Sequence, residues 1–271
     1  MVQQSQPTNR YQLVDFIRGF FITAMLIEHF GIVVALTGRI QPIIAFSQSE
    51  SEGLLSEVLR NLAFAFVRWT DMLVCTPYSR TLWISSCDIN VTGSSIFLVV
   101  GMSLSLAHAR GFKGRKFAIR LGQIGIAALL ISIATYLYYP QNWIYFGTLH
   151  LIFFASIIAL PFVPYPNIAL VTGLVLYILY HLGINDQNYF WSLFSNLPKS
   201  PLDLFTLLPW SIMVFIGVWL GSRHFWRSWQ IPDSKVTRTI LFIGKHSLII
   251  YLLHQPVYIA FLTILDQLGK L

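Results

Sequence analysis

Residues 11–36 read YQLVDFIRGFFITAMLIEHFGIVVAL. A helix needs about 20 predominantly apolar residues to cross a ~30 Å hydrocarbon core, and this run exceeds that length. It does not read as a cleavable signal peptide: it is too long, it holds Asp15, Arg18, Glu28 and His29, and no small-residue cleavage site follows it. Six further apolar runs follow, at 89–108, 117–138, 142–162, 167–183, 207–221 and 240–265. The composition agrees. The 271 residues are 55% hydrophobic and only 11% charged, with a mean hydropathy of +0.65. A soluble domain carries about 25% charged residues, so these charges are too few to coat a water-facing globule. Alternating segments of ~10 residues, the mark of a membrane barrel, are absent. The expected fold is therefore all-α: one polytopic transmembrane bundle over 1–271, with about seven spanning helices.

The connection at 37–88 is too long to be structureless in a compact bundle. Its middle places Leu55, Val58, Leu59, Leu62, Phe66, Trp69 and Leu73 at helical spacing, which predicts an amphipathic helix at the outer interface or a re-entrant piece. The chain's two cysteines, Cys75 and Cys87, both fall here. They are able to pair if that side is oxidising, and two free thiols are the alternative. Gly217 and Gly221 form a GxxxG step, a signal of close helix packing. A homodimer stays open.

Orientation follows from the cations in the connections. With the N-terminus in the cytosol, ten Lys and Arg face one acid on the cytosolic side, and six face eight acids outside. The net +7 is thus a one-sided basic surface, suited to orientation against anionic lipid or to a phosphorylated cytosolic ligand. No basic stretch interleaved with aromatics points to nucleic acid. The expected location is the plasma (inner) membrane, with the C-terminus outside.

Ionisable residues inside spans carry the functional signal, since each costs about 2.5–3.5 kcal/mol at a helix centre on insertion scales. Asp15 lies one turn before Arg18 and is placed to pair with it. His29 is eleven residues beyond Arg18, about 16 Å along the same face. His150 enters the fourth run from the outer side. In the seventh, Ser247, Tyr251 and His254 share a face, followed by Gln255 and Pro256, with Lys245 and His246 near the cytosol. No metal-ligand spacing stands out.

Read together, these residues resemble a known family. The stretches are Val14-Asp15-Phe-Ile-Arg18-Gly19, Gly93-Ser-Ser-Ile-Phe-Leu with Gly101-Met-Ser103-Leu, Phe146-Gly147-Thr-Leu149-His150, Leu207-Leu-Pro209-Trp210, and Gly244-Lys-His246-Ser247 through Tyr251 to His254-Gln255-Pro256. They are similar to the heparan-alpha-glucosaminide N-acetyltransferase catalytic-domain family, itself related to membrane acyltransferases of surface polysaccharides. The resemblance implies that an acetyl group passes from cytosolic acetyl-CoA, the acyl donor, to an amine or hydroxyl of a saccharide or other small acceptor outside, through an intramembrane histidine. In animal members the matching first-helix position is asparagine, with the histidine shortly after it. The resemblance gives that role to His29 by its position after Arg18, with His150 and His254 as further candidates; no histidine occurs here between His29 and His108, so either His29 does that work or the chemistry differs. Chemistry supports the assignment: an imidazole suits a base near neutral pH, and it is also able to carry an acyl group. Arg18, Asp15, Ser247, Tyr251, Gln255, Arg115, Lys116, Arg120, Lys245 and His246 are the expected substrate- and CoA-binding set.

Other classes also place polar groups in membrane helices. A multi-pass transporter of a small polar or anionic solute predicts flux without CoA binding, often with inverted repeats. A b-type haem protein predicts a haem absorbance spectrum from paired histidines. A structural or assembly protein predicts neither.

Overall fold

The computed structural model describes residues 12–36, 57, 91–109, 111, 113–184, 197–198, 202–223 and 231–268. Among them the elements are α1 (Gln12–Leu36), α2 (Val91–His108), α3 (Gly114–Tyr138), α4 (Thr148–Ala159, extended by a 3₁₀ turn at Leu160–Phe162), α5 (Pro166–His181), α6 (Leu207–Ser222), α7 (Lys235–Lys245) and α8 (Ser247–Leu268). The described residues contain no strand, so the all-α expectation holds. The expected outer amphipathic helix, apart from Glu57, and Cys75 and Cys87 lie outside the described residues.

Two boundaries differ from the sequence expectation. The fourth run was expected to be helical from 142, but α4 begins at Thr148. Residues 142–146 instead run beside 202–205, with the Leu202 N–H donating to the Asn142 carbonyl (2.9 Å) and the Phe205 N–H to that of Phe146 (3.1 Å). The last run was expected to be continuous over 240–265 and divides at His246. α7 is amphipathic, with Lys235, Arg238, Phe242 and Lys245 exposed and Gly244 buried, so its polar face does not suit a hydrocarbon core. α8 carries a long apolar stretch that does.

α3 (25 residues) and α8 (22 residues) are each long and apolar enough to cross a membrane. Only 17% and 11% of their apolar stretches are buried inside the protein. Leu129, Ile133 and Leu137 on α3, and Leu253, Val257 and Leu265 on α8, are exposed. Water would not tolerate so contiguous an apolar face, whereas lipid does. α2, α4, α5 and α6 are apolar but shorter.

The chain divides into two compact units. The first comprises 1–19 and 93–245, and the second 20–92 and 246–271. The core of the first is built on Phe97, Leu151, Val214 and Val218, all fully buried, with Ala155 and Ala169 in the same cluster. α2 and α6 meet through glycines. A Cβ on Gly101 would overlap the Val214 carbonyl, and one on Gly217 the Leu98 carbonyl, while Gly221 faces Met102. The GxxxG step is therefore a packing face. Gly217→Val should lower the melting temperature of detergent-purified protein, at a cost of about 1–3 kcal/mol from overpacking. An unchanged melting temperature would mean that α2 and α6 do not touch there. In the second unit, α1 from Phe20 onward packs on α8. The Tyr258 hydroxyl donates to the Leu26 carbonyl (2.8 Å), and the Phe30 and Tyr258 rings meet at 5.3 Å.

Candidate functional site

Two histidines come together in the second unit. His29 sits on α1 and donates from Nδ1 to the Met25 carbonyl one turn back (2.9 Å). His254 on α8 is 7% exposed and donates from Nδ1 to the Tyr251 carbonyl. A carbonyl only accepts, so each Nδ1 carries the proton, and in the neutral ring each Nε2 keeps its lone pair. The rings meet edge to face, with centroids 5.0 Å apart and planes at 80°. His254 Nε2 is buried and has no hydrogen-bond partner among the described residues. A buried polar atom of this kind is costly unless function uses it.

Around the pair, the Tyr251 and Tyr258 rings lie 5.5 Å and 5.7 Å from His254. Ser247 and Gln255 are half-buried on α8. Pro256 lies inside that helix, where it withdraws one backbone donor. Glu28 is buried and hydrogen-bonded to the Thr92 side chain. The sequence reading missed Tyr258, although its spacing from Tyr251 and His254 follows one helix face.

Arg18 is held elsewhere, in the first unit. Its guanidinium pairs with the Asp15 carboxylate (3.0 Å), donates to the Ser103 hydroxyl (2.6 Å) and approaches the Gly244 carbonyl (3.5 Å). Asp15 is 4% exposed. The contact is close because α1 and α7 cross at glycines: a Cβ on Gly19 would overlap the Ile240 carbonyl, and one on Gly244 the Asp15 carbonyl. One side chain thus ties α1, α2 and α7 together. Lys245 and His246 are exposed just beyond this crossing.

His150 also belongs to the first unit. The Gly147 N–H donates to its Nδ1 (3.2 Å), which leaves the proton on Nε2, 3.1 Å from the Ser132 hydroxyl. Both ring nitrogens are engaged, so His150 joins the start of α4 to α3. Asp203 caps the same helix end, accepting from the Thr148 N–H (3.0 Å) and hydroxyl (3.2 Å). Nothing local in sequence marks Asp203, because its partner is 55 residues away.

A cavity of about 360 Å³ opens between α2, α3 and α4. Lys113, Lys116 and Arg120 line it, as do Ser103 and His108. Of the expected CoA-binding cations on this loop, Lys116 and Arg120 lie on the cavity, while Arg115 is exposed and is not part of its lining. No group of three or more metal-binding side chains occurs among the described residues.

Outward-facing apolar helices define an all-helical membrane protein among the described residues, in which a buried His254 meets a half-buried His29. A family model, heparan-alpha-glucosaminide N-acetyltransferase, catalytic, matches residues 58–256, and the chain belongs to this membrane acetyltransferase family. The match includes His150 and His254 and begins after His29. Neither the curated proteins nor the solved structures contain a match to the chain.

Proposed function

We propose that this chain moves an acetyl group from cytosolic acyl-CoA to an amine or hydroxyl of a sugar-like acceptor on the outer side of the plasma (inner) membrane. The observation that carries this reading is the His29–His254 pair, two Nδ1-anchored imidazoles brought together in the second unit, with the buried His254 Nε2 unsatisfied among the described residues. Acyl transfer from a thioester needs a group that takes the acceptor's proton or receives the acyl carbon, and a neutral imidazole does either. By the first route, the acceptor attacks the thioester carbon, Nε2 takes its proton, and the CoA thiolate leaves. By the second, Nε2 itself displaces the thiolate, and the acceptor then takes the acetyl group from the imidazole, its proton passing to the thiolate to give CoA thiol. Both routes use the same atom.

The test is transfer itself. Purified protein in proteoliposomes, given radiolabelled acetyl-CoA and an amino sugar, should release CoA thiol and labelled acceptor in equal amounts. Absence of CoA release with every amine and hydroxyl acceptor tried would overturn the proposal. The orientation that goes with it, N-terminus in the cytosol and C-terminus outside, is read by a C-terminal reporter. A reporter active only in the cytosol would reverse it.

A further inference from the structure

We propose that the exposed face of α7 docks on the anionic phospholipid headgroups of the membrane that α8 crosses. Spacing builds the face. Lys235, Arg238, Phe242 and Lys245 follow one another at three, four and three residues, which sets them in one stripe along the helix. All four are exposed. The opposite face is taken up by packing on α1. A Cβ on the buried Gly244 would overlap the Asp15 carbonyl, and one on Gly19 the Ile240 carbonyl. This crossing fixes which way the stripe faces.

Two observations name the partner. The first is charge. Residues 235–245 contain no Asp or Glu. Arg238 pairs with Asp233 (2.8 Å), but Lys235 and Lys245 have no acidic partner among the described residues. Cations clustered beside a membrane-crossing helix attract anionic lipid. The second is continuity with the lipid-facing surface of α8. One residue, His246, separates the two helices. Ile249 opens the exposed apolar surface of α8 four residues after Lys245, and four residues reach no more than about 14 Å even when extended. Lys245 therefore stands within reach of the headgroups. Phe242 is 59% exposed and Val236 is 69% exposed beside these cations. Water offers such side chains nothing, whereas the boundary between headgroups and acyl chains takes cations and aromatic rings together. The inference depends on α8 crossing the membrane and not on acetyl transfer.

The experiment photo-crosslinks the full chain in nanodiscs holding phosphatidylcholine and phosphatidylglycerol at equal mole fractions. p-Benzoylphenylalanine replaces Phe242 in one variant and Ile133 in another. Ile133 is exposed within the apolar stretch of α3 and reports contact with hydrocarbon. Mass spectrometry reads the adducts, and thermal unfolding checks that each variant folds. The probe at 242 is expected to capture phosphatidylglycerol over phosphatidylcholine by at least about threefold, as attraction by several cations implies, while the probe at 133 captures the two equally. Adding Lys235→Gln and Lys245→Gln should return the ratio at 242 to about one. Raising the salt to about 0.5 M should do the same without any substitution, because screening shortens the reach of the cations. Four outcomes overturn the proposal. They are no lipid adduct at 242 while 133 is labelled, equal capture of both lipids at 242 with the cations in place, a ratio unmoved by the substitutions and by salt, and an adduct joining two copies of the chain. None of them touches the acetyl-transfer reading, since neither CoA nor acceptor is present.

Discussion

His29→Ala is expected to slow acetyl transfer at least about a hundredfold, the loss typical of removing a general acid–base group. The Met25 carbonyl holds Nδ1–H, so Nε2 is the nitrogen that the proposed chemistry uses. Folding should survive, because the second unit keeps the Tyr258–Leu26 hydrogen bond and the packing of Phe30 on Tyr258. CoA binding should persist as well, since the imidazole acts on the acyl group and leaves the nucleotide alone. A purely structural histidine predicts the reverse, with a lower melting temperature and activity falling only in proportion to folded protein. His29→Gln separates the two, because an amide replaces a hydrogen bond but does not shuttle a proton near neutral pH. An active Gln variant would exclude His29 as base or carrier and move the test to His254. The result matters because the family match begins at residue 58, so the assignment of His29 rests on its contact with His254 and on the first-helix resemblance.

The second large effect is on stability. Arg18→Met should destabilise the protein by about 3 kcal/mol or more, the usual cost of removing one partner from a buried ion pair. The variant leaves the buried Asp15 carboxylate without the guanidinium 3.0 Å away and removes the donor to Ser103. Adding Asp15→Asn should recover part of the loss, because a neutral amide needs no counter-charge. If Arg18→Met melts like wild type yet loses CoA affinity, Arg18 is a ligand-binding group and the clasp reading is wrong.

Composition and apolar run lengths were enough to read an all-helical membrane protein, because each helix closes its own backbone hydrogen bonds and its lipid-facing side chains need no partner elsewhere in the chain. The Asp15–Arg18 pair was legible for the same reason: residues three apart on a helix are neighbours wherever the helix lies. The family was legible from short motifs strung along the chain in order, and the match over 58–256 bears that out. What escaped the sequence was every contact that joins distant segments. His29 and His254 are 225 residues apart, and no periodicity brings their rings to 5.0 Å. His150 carried the same motif signal as His254, but it belongs to the other unit, where Gly147 and Ser132 engage both of its nitrogens. Arg115 and Lys116 are adjacent in sequence and equally charged, yet one lines the cavity and the other does not. Periodicity and composition are local properties, so the sequence by itself determined the element type and the membrane class. Which polar side chains share a site depends on helix–helix contacts across hundreds of residues, and only the tertiary structure decided those.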